Sequence, residues 1–192
     1  MKSVPACCLL FFLFSTGITF GQVKYEKEYR LKAADVPPLA RQFVDSLDFA
    51  RRVRWYMETS EQGKSIEAKS KRDGQKYSVE FDPSGKLQDV EIEVAWRSLP
   101  EVLRTKIEQS LNDDFERFKI RKVQRQFSGE RKEILNYLKQ RSDGSGLTVR
   151  YELVLRGRKG RNTDKFEYTF SADGDLEKSA KIVFRNTDNL KY

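Results

Sequence analysis

The sequence predicts an α+β fold of two tandem units, each a helix packed on one face of an antiparallel sheet of about four strands. Three observations predict it. Apolar residues recur at helical spacing after two proline-marked starts, Val36-Pro37-Pro38 and Leu99-Pro100, which lie 63 positions apart. Two hairpins match residue for residue: Lys76 to Leu87, turning through Asp82-Pro83-Ser84-Gly85, and Lys165 to Leu176, turning through Ser171-Ala172-Asp173-Gly174. The strands in both halves alternate apolar and polar residues, so one face of each packs a helix and the other meets water.

The chain opens with a segment unlike the rest. In residues 1–21 the only charge is Lys2, Leu9 to Phe14 is an apolar run, and Thr19 and Gly21 stand at −3 and −1 of a cut before Gln22. This pattern predicts a secretory signal peptide and places the mature chain in the periplasm or outside the cell. The run is short for a membrane span, and no second apolar segment follows it. Cys7 and Cys8, the only cysteines, lie inside this segment, so the mature chain has none to crosslink. Without Lys2 the formal charge falls from +8 to +7. A basic surface of this kind favours acidic partners.

Residues 23–34 alternate as a strand, with Tyr25, Tyr29 and Leu31 on one parity. Asp35 is placed to cap a helix whose stripe is Leu39, Ala40, Phe43, Val44 and Leu47. The second helix opens on Ser98-Leu99-Pro100-Glu101, which reads as a capping box, and its stripe is Val102, Leu103, Ile107 and Leu111. Each helix ends near a phenylalanine, Phe49 or Phe115, and a basic strand follows: Arg51 to Met57, then Phe118 to Phe127. Further strands are expected at Ile66 to Lys71 and Leu147 to Leu155, and later at Val90 to Val94 and Ala180 to Phe184. The hairpins are offset by 89 rather than 63, so the second half carries about 26 extra residues. Part of the excess is a short helix near 130–141, with Ile134, Leu135 and Leu138 at helical spacing. The units divide as 22–95 and 96–192.

Val36-Pro37, Trp55, Tyr77, Val79, Phe81, Asp82, Gly85 and Leu87, repeated in part as Leu99-Pro100, Phe166, Tyr168, Phe170, Gly174 and Leu176, resemble the PepSY-like family of exported bacterial proteins. That family is related in fold to the beta-lactamase-inhibitor protein. The likeness covers about residues 24–184. It implies a helix-and-sheet fold and the habit of holding another protein on the open face of the sheet. It implies no activity and no cofactor. The second copy lacks an equivalent of Trp55.

The residue inventory argues against an enzyme. With no histidine, and no cysteine beyond residue 21, neither a Cys–His nor a Ser–His pair can be built. Asp113-Asp114 and Glu91/Glu93 are the paired acids, and both read as solvated surface. Asp173-Gly174-Asp175 faintly resembles a calcium loop, but a hairpin turn accounts for it, so no metal ligand is named. Two surfaces remain. Arg52, Arg54 and Tyr56 share a strand parity and, with Lys76, form the candidate face for an exported or envelope protein. Arg156, Arg158, Lys159 and Arg161 form the densest basic run, a candidate contact for a polyanion or envelope glycan. Nucleic acid is not expected for an exported chain. The expectation is a non-enzymatic protein-binding module, with polyanion binding as the alternative.

Overall fold

The computed structural model describes residues 22–49, 51–60 and 63–184. The expected leader, 1–21, lies outside the described residues. Nine strands, β1 (Gln22–Leu31), β2 (Arg54–Ser60), β3 (Gly63–Arg72), β4 (Gln75–Phe81), β5 (Leu87–Glu93), β6 (Arg117–Ser128), β7 (Thr148–Lys159), β8 (Asn162–Ser171) and β9 (Leu176–Phe184), form one closed barrel in chain order. The helices are α1 (Pro38–Asp45), α2 (Glu101–Asp114) and α3 (Arg131–Leu138).

The expectation of two helix-on-sheet units is corrected here. Helix and strands do recur in the same order, but the strands do not divide into two sheets. β5 pairs with β6 from Val90↔Phe127 to Glu93↔Gln124, which joins the two halves edge to edge. β1 then closes the ring. Its first half pairs in parallel with β9, Gln22↔Ala180 to Glu26↔Phe184, and its second half pairs antiparallel with β2, Lys27↔Thr59 to Leu31↔Trp55. The physical reason is the cost of open edges: two separate sheets would leave four rows of unpaired backbone groups, and closure pairs much of each row, although on the β5 side β6 is paired only from Gln124 to Phe127.

Packing follows the alternation. The apolar parity of the strands turns outward onto the helices. Phe43 and Val44 of α1 are buried with Trp55, Ile66, Val79, Phe81 and Val90 in one cluster. Ile107 and Leu111 of α2 are buried with Phe115, Leu153, Leu155, Tyr168 and Phe170 in another. Ile134 and Leu138 of α3 join the cluster built around α1, together with Phe127, so an element from the second half seals the core of the first. Trp96 packs against the α2 cluster. Arg72 strengthens the joint, donating to the carbonyls of Leu47 (3.1 Å) and Leu138 (3.0 Å) and to the Tyr77 hydroxyl (3.2 Å).

Both helix starts differ from expectation. Pro37 and Pro100 are the N-cap residues, and neither helix has a side-chain cap bond. Asp35 ends a 3-10 turn, and the Ser98 hydroxyl donates to the carbonyl of Ala95 (2.7 Å). A short turn placed before each proline takes the residue that would have capped the helix. Leu39 and Val102, each in the first turn, face solvent and leave the stripe. The two hairpin turns hold Gly85 at φ +88° and Gly174 at φ +82°, a region where a side chain is strained.

Candidate functional site

Because the apolar parity faces the helices, the polar parity faces the inside of the barrel. This corrects the expectation that it meets open water. A cavity of about 450 Å³ is lined by side chains from all nine strands, and six of them are carboxylates: Glu58, Glu80, Glu91, Glu152, Glu167 and Glu177. Four cations, Lys24, Lys64, Arg150 and Lys178, share the lining. Glu91, read from sequence as solvated surface, is 4% exposed, because barrel closure encloses the face it occupies.

The interior is polar but organised. Lys24 Nζ donates to both carboxylate oxygens of Glu167 at 2.9 Å, a tie across the β1 seam. Lys69 Nζ lies 2.7 Å from Glu67 and 3.0 Å from Glu28. The Gln124 amide donates to Glu91 at 2.5 Å. The remaining acids repel one another. Burial, then Glu58, Glu67 and Glu152, push Glu80 up to about 8, with Lys24 opposing. Burial and Glu167 push Glu152 up to about 7. Burial, then Glu80 and Glu67, raise Asp89 well above the ordinary range, and burial, then Glu152, Glu80 and Asp89, do the same to Glu91. Oxygens of Glu80, Asp89 and Glu91 lie within 4.8 Å of one another, as do those of Glu28, Glu58 and Glu67. These all-oxygen groups are the places where a hard cation would find ligands. No sequence motif marked them, although β2, β3, β4, β5, β7 and β8 each carry a glutamate on the polar parity.

A set of basic residues gathers at one end. In an antiparallel ladder one strand's start lies beside its neighbour's finish. The starts of β2, β4, β6 and β8 and the finishes of β3, β5 and β7 therefore share an end. There the register sets Lys71 opposite Lys76, and Arg156 opposite both Lys119 and Lys165. Both basic sets read from sequence lie at this end. Arg52 and Arg54 are exposed, and with Arg30, Arg51, Ser70 and Lys71 they line a depression of about 570 Å³. Five of these six side chains are cations and none is a carboxylate. A neighbouring depression of about 250 Å³ takes in Arg54, Lys69, Lys71, Lys76 and Lys122.

The other predicted residues are placed differently. Tyr56 is half-buried, with Lys69 Nζ 4.9 Å and the Arg30 guanidinium 5.7 Å from its ring centre. Lys76 is paired with Glu93 at 2.8 Å. Arg158 is paired with Glu116 at 2.9 Å, and Lys159 sits 3.7 Å from Asp114 and 4.8 Å over the Phe115 ring. The run at 156–161 is thus partly neutralised by acids at the end of α2 and just beyond it. Asp113-Asp114, read as solvated, divides: Asp114 accepts a hydrogen bond from the Tyr168 hydroxyl at 2.6 Å, and burial together with this bond raises the Tyr168 pKa. Sequence reasoning missed Arg30 and Lys71 as site residues. Only strand pairing brings them beside Arg52 and Arg54, and no linear spacing carries that information.

No family model matches the chain, and no curated protein matches it. Among solved structures, a DUF2874 family protein from Bacteroides ovatus, whose crystal structure was determined at 1.62 Å, is similar at a TM-score of 0.50 and 13% identity. The similarity covers 77% of this chain and 89% of that one. At that identity it speaks to the fold alone. Among the described residues, no helix is long and apolar enough to cross a membrane.

Proposed function

We propose that this chain is an exported, non-enzymatic binding module, PepSY-like in kind, that works in the periplasm or outside the cell and holds an anionic ligand at the basic end of its barrel. One observation carries the choice of surface: among the described residues, five cations and no carboxylate converge on one depression. Of the two readings open at the level of sequence, a protein on an open sheet face and a polyanion on a basic surface, this arrangement favours the second. Closure leaves no open polar sheet face for a protein to cover. The export reading rests on residues 1–21, and the non-enzymatic reading on the absence of histidine and of cysteine beyond residue 21.

The test is binding of the chain from Gln22 onward, which contains every described element, to heparin and to polyglutamate across a salt series. Binding should weaken steeply with salt, because exposed charges are screened over about 8 Å at 0.15 M. It should also weaken in the double variant Arg52→Glu/Arg54→Glu. Insensitivity to both salt and variant would reject the basic end as the working surface. A single envelope protein retained at high salt and lost in the variant would instead restore the protein-binding reading.

A further inference from the structure

The depression between β1, β2 and β3 has properties that go beyond a generally basic surface. Arg30 comes from β1, Arg54 from β2 and Lys71 from β3, while Arg51 and Arg52 come from the segment just before β2. The strand ladder sets the spacing of the first three. Just before β2, the buried Ser70 hydroxyl donates to the Arg51 carbonyl at 3.0 Å and ties that segment to β3. The side chains are therefore presented from a built frame rather than from a free loop. Elsewhere on the barrel, cations find acids: Lys24 with Glu167, Lys76 with Glu93, Arg158 with Glu116. Among the described residues no ion pair neutralises Arg51, Arg52, Arg54 or Lys71, and Arg30 has the Tyr56 ring as its neighbour.

Resting on the reading that the basic end is the working surface, we infer that this depression is a seat for a phosphate-bearing ligand, a phosphate monoester or diphosphate. Five like charges facing one volume repel each other, and a single carboxylate would neutralise only one of them. A phosphate monoester brings a charge of about −1.5 to −2 at pH 7 and three strong acceptor oxygens. Guanidinium groups present planar forks of N–H donors that match those oxygens two at a time, and four of the five cations are arginines. The volume, about 570 Å³, leaves room for a second phosphate or for the carrier of the first. Among the described residues no aromatic ring lines the depression, so the group recognised is the phosphate rather than a base attached to it. The phosphate can be soluble or part of a lipid headgroup.

Titration calorimetry with pyrophosphate tests the seat, using the chain from Gln22 onward. Each arginine contributes charge-assisted bonds, so Arg54→Ala should weaken binding about tenfold or more. Arg54→Lys, which keeps the charge and loses the fork, should fall between the two. Arg158→Ala/Arg161→Ala, at the same end but outside the depression, should leave affinity within about twofold, the scale of a screened surface charge. Flotation separates the two sources. Phosphatidylcholine vesicles carrying phosphatidic acid should lift the protein, and vesicles of equal charge carrying oleate should not, if the phosphate is lipid-borne. Pyrophosphate binding without flotation assigns a soluble phosphate. Equal losses in the depression and hairpin variants would overturn the inference. So would retained heparin binding with no pyrophosphate affinity and no preference for phosphatidic acid, and that result would leave the broader anionic reading standing. Loss of all anion binding would remove both.

Discussion

Consider raising the pH from 5 to 9 on a barrel whose inside is lined with mutually repelling acids. Glu80 is pushed up to about 8 in the folded chain, against 4.5 when exposed. Between those values the native state holds a proton that the unfolded state has released, so stability falls as pH rises through the interval. At about 1.4 kcal/mol per pH step, Glu80 alone represents about 5 kcal/mol of stability present near pH 4.5 and gone by pH 8. Glu152, pushed up to about 7, adds about 3 kcal/mol by the same conversion. The combined loss is smaller than the sum, since protonating one acid relieves the other. The charged groups acting on Glu80 are Glu58 from β2, Glu67 from β3, Asp89 and Glu91 from β5, Glu152 from β7 and Lys24 from β1, and Glu167 and Arg150 share its cavity. Total stability for a domain is about 5–15 kcal/mol, so a loss of this order is a large share of it and the barrel should weaken at alkaline pH. Thermal melts followed by circular dichroism should show Tm dropping by about 10 °C or more between pH 5 and 9. Glu80→Gln should raise Tm at pH 8.5 and change it little at pH 5. A Tm that is flat or rising over this range, or a Glu80→Gln variant equally destabilised at both pH values, would refute the reasoning.

Two further predictions concern the frame. A methyl group on Gly157 would meet the ring of Phe115, so Gly157→Ala should cost about 1–3 kcal/mol in denaturant melts, and adding Phe115→Leu should recover part of that loss. Arg72→Ala strips the donor from two carbonyls and a hydroxyl at the joint of α1, β4 and α3. It should cost about 2–4 kcal/mol by urea unfolding, and Arg72→Lys should not rescue it, because one ammonium lacks the fork that reaches all three.

The acidic lining is where sequence reasoning and structure part most clearly. Glu91 sits on the polar parity of a strand, and polar parity in an open sheet means water. The alternation is identical whether the polar face turns out to solvent or in to a lumen. Only closure distinguishes the two, and closure depends on β1 finding both β9 and β2. The same holds for the basic end. Arg52 and Arg54 were visible as a pair, and the run at 156–161 as a cluster. That these lie at one end, and that Arg30 and Lys71 complete a depression with the first pair, follows from nine strands being in register.

What the chain carries locally is legible without any structure. The hairpins turning at Gly85 and Gly174, the apolar parity of Tyr77, Val79 and Phe81, and the burial of Phe43 and Ile107 are dictated by short-range rules: side-chain periodicity, turn stereochemistry and hydrophobic burial. Tertiary structure alone decided that two repeats share one sheet, that α3 covers the first core rather than the second, and that acids gather inside while unpaired arginines gather at one end. Strand pairing between distant segments sets these outcomes. It is selected by the need to cover strand edges across the whole sheet, a condition on the whole chain that no single stretch of sequence encodes.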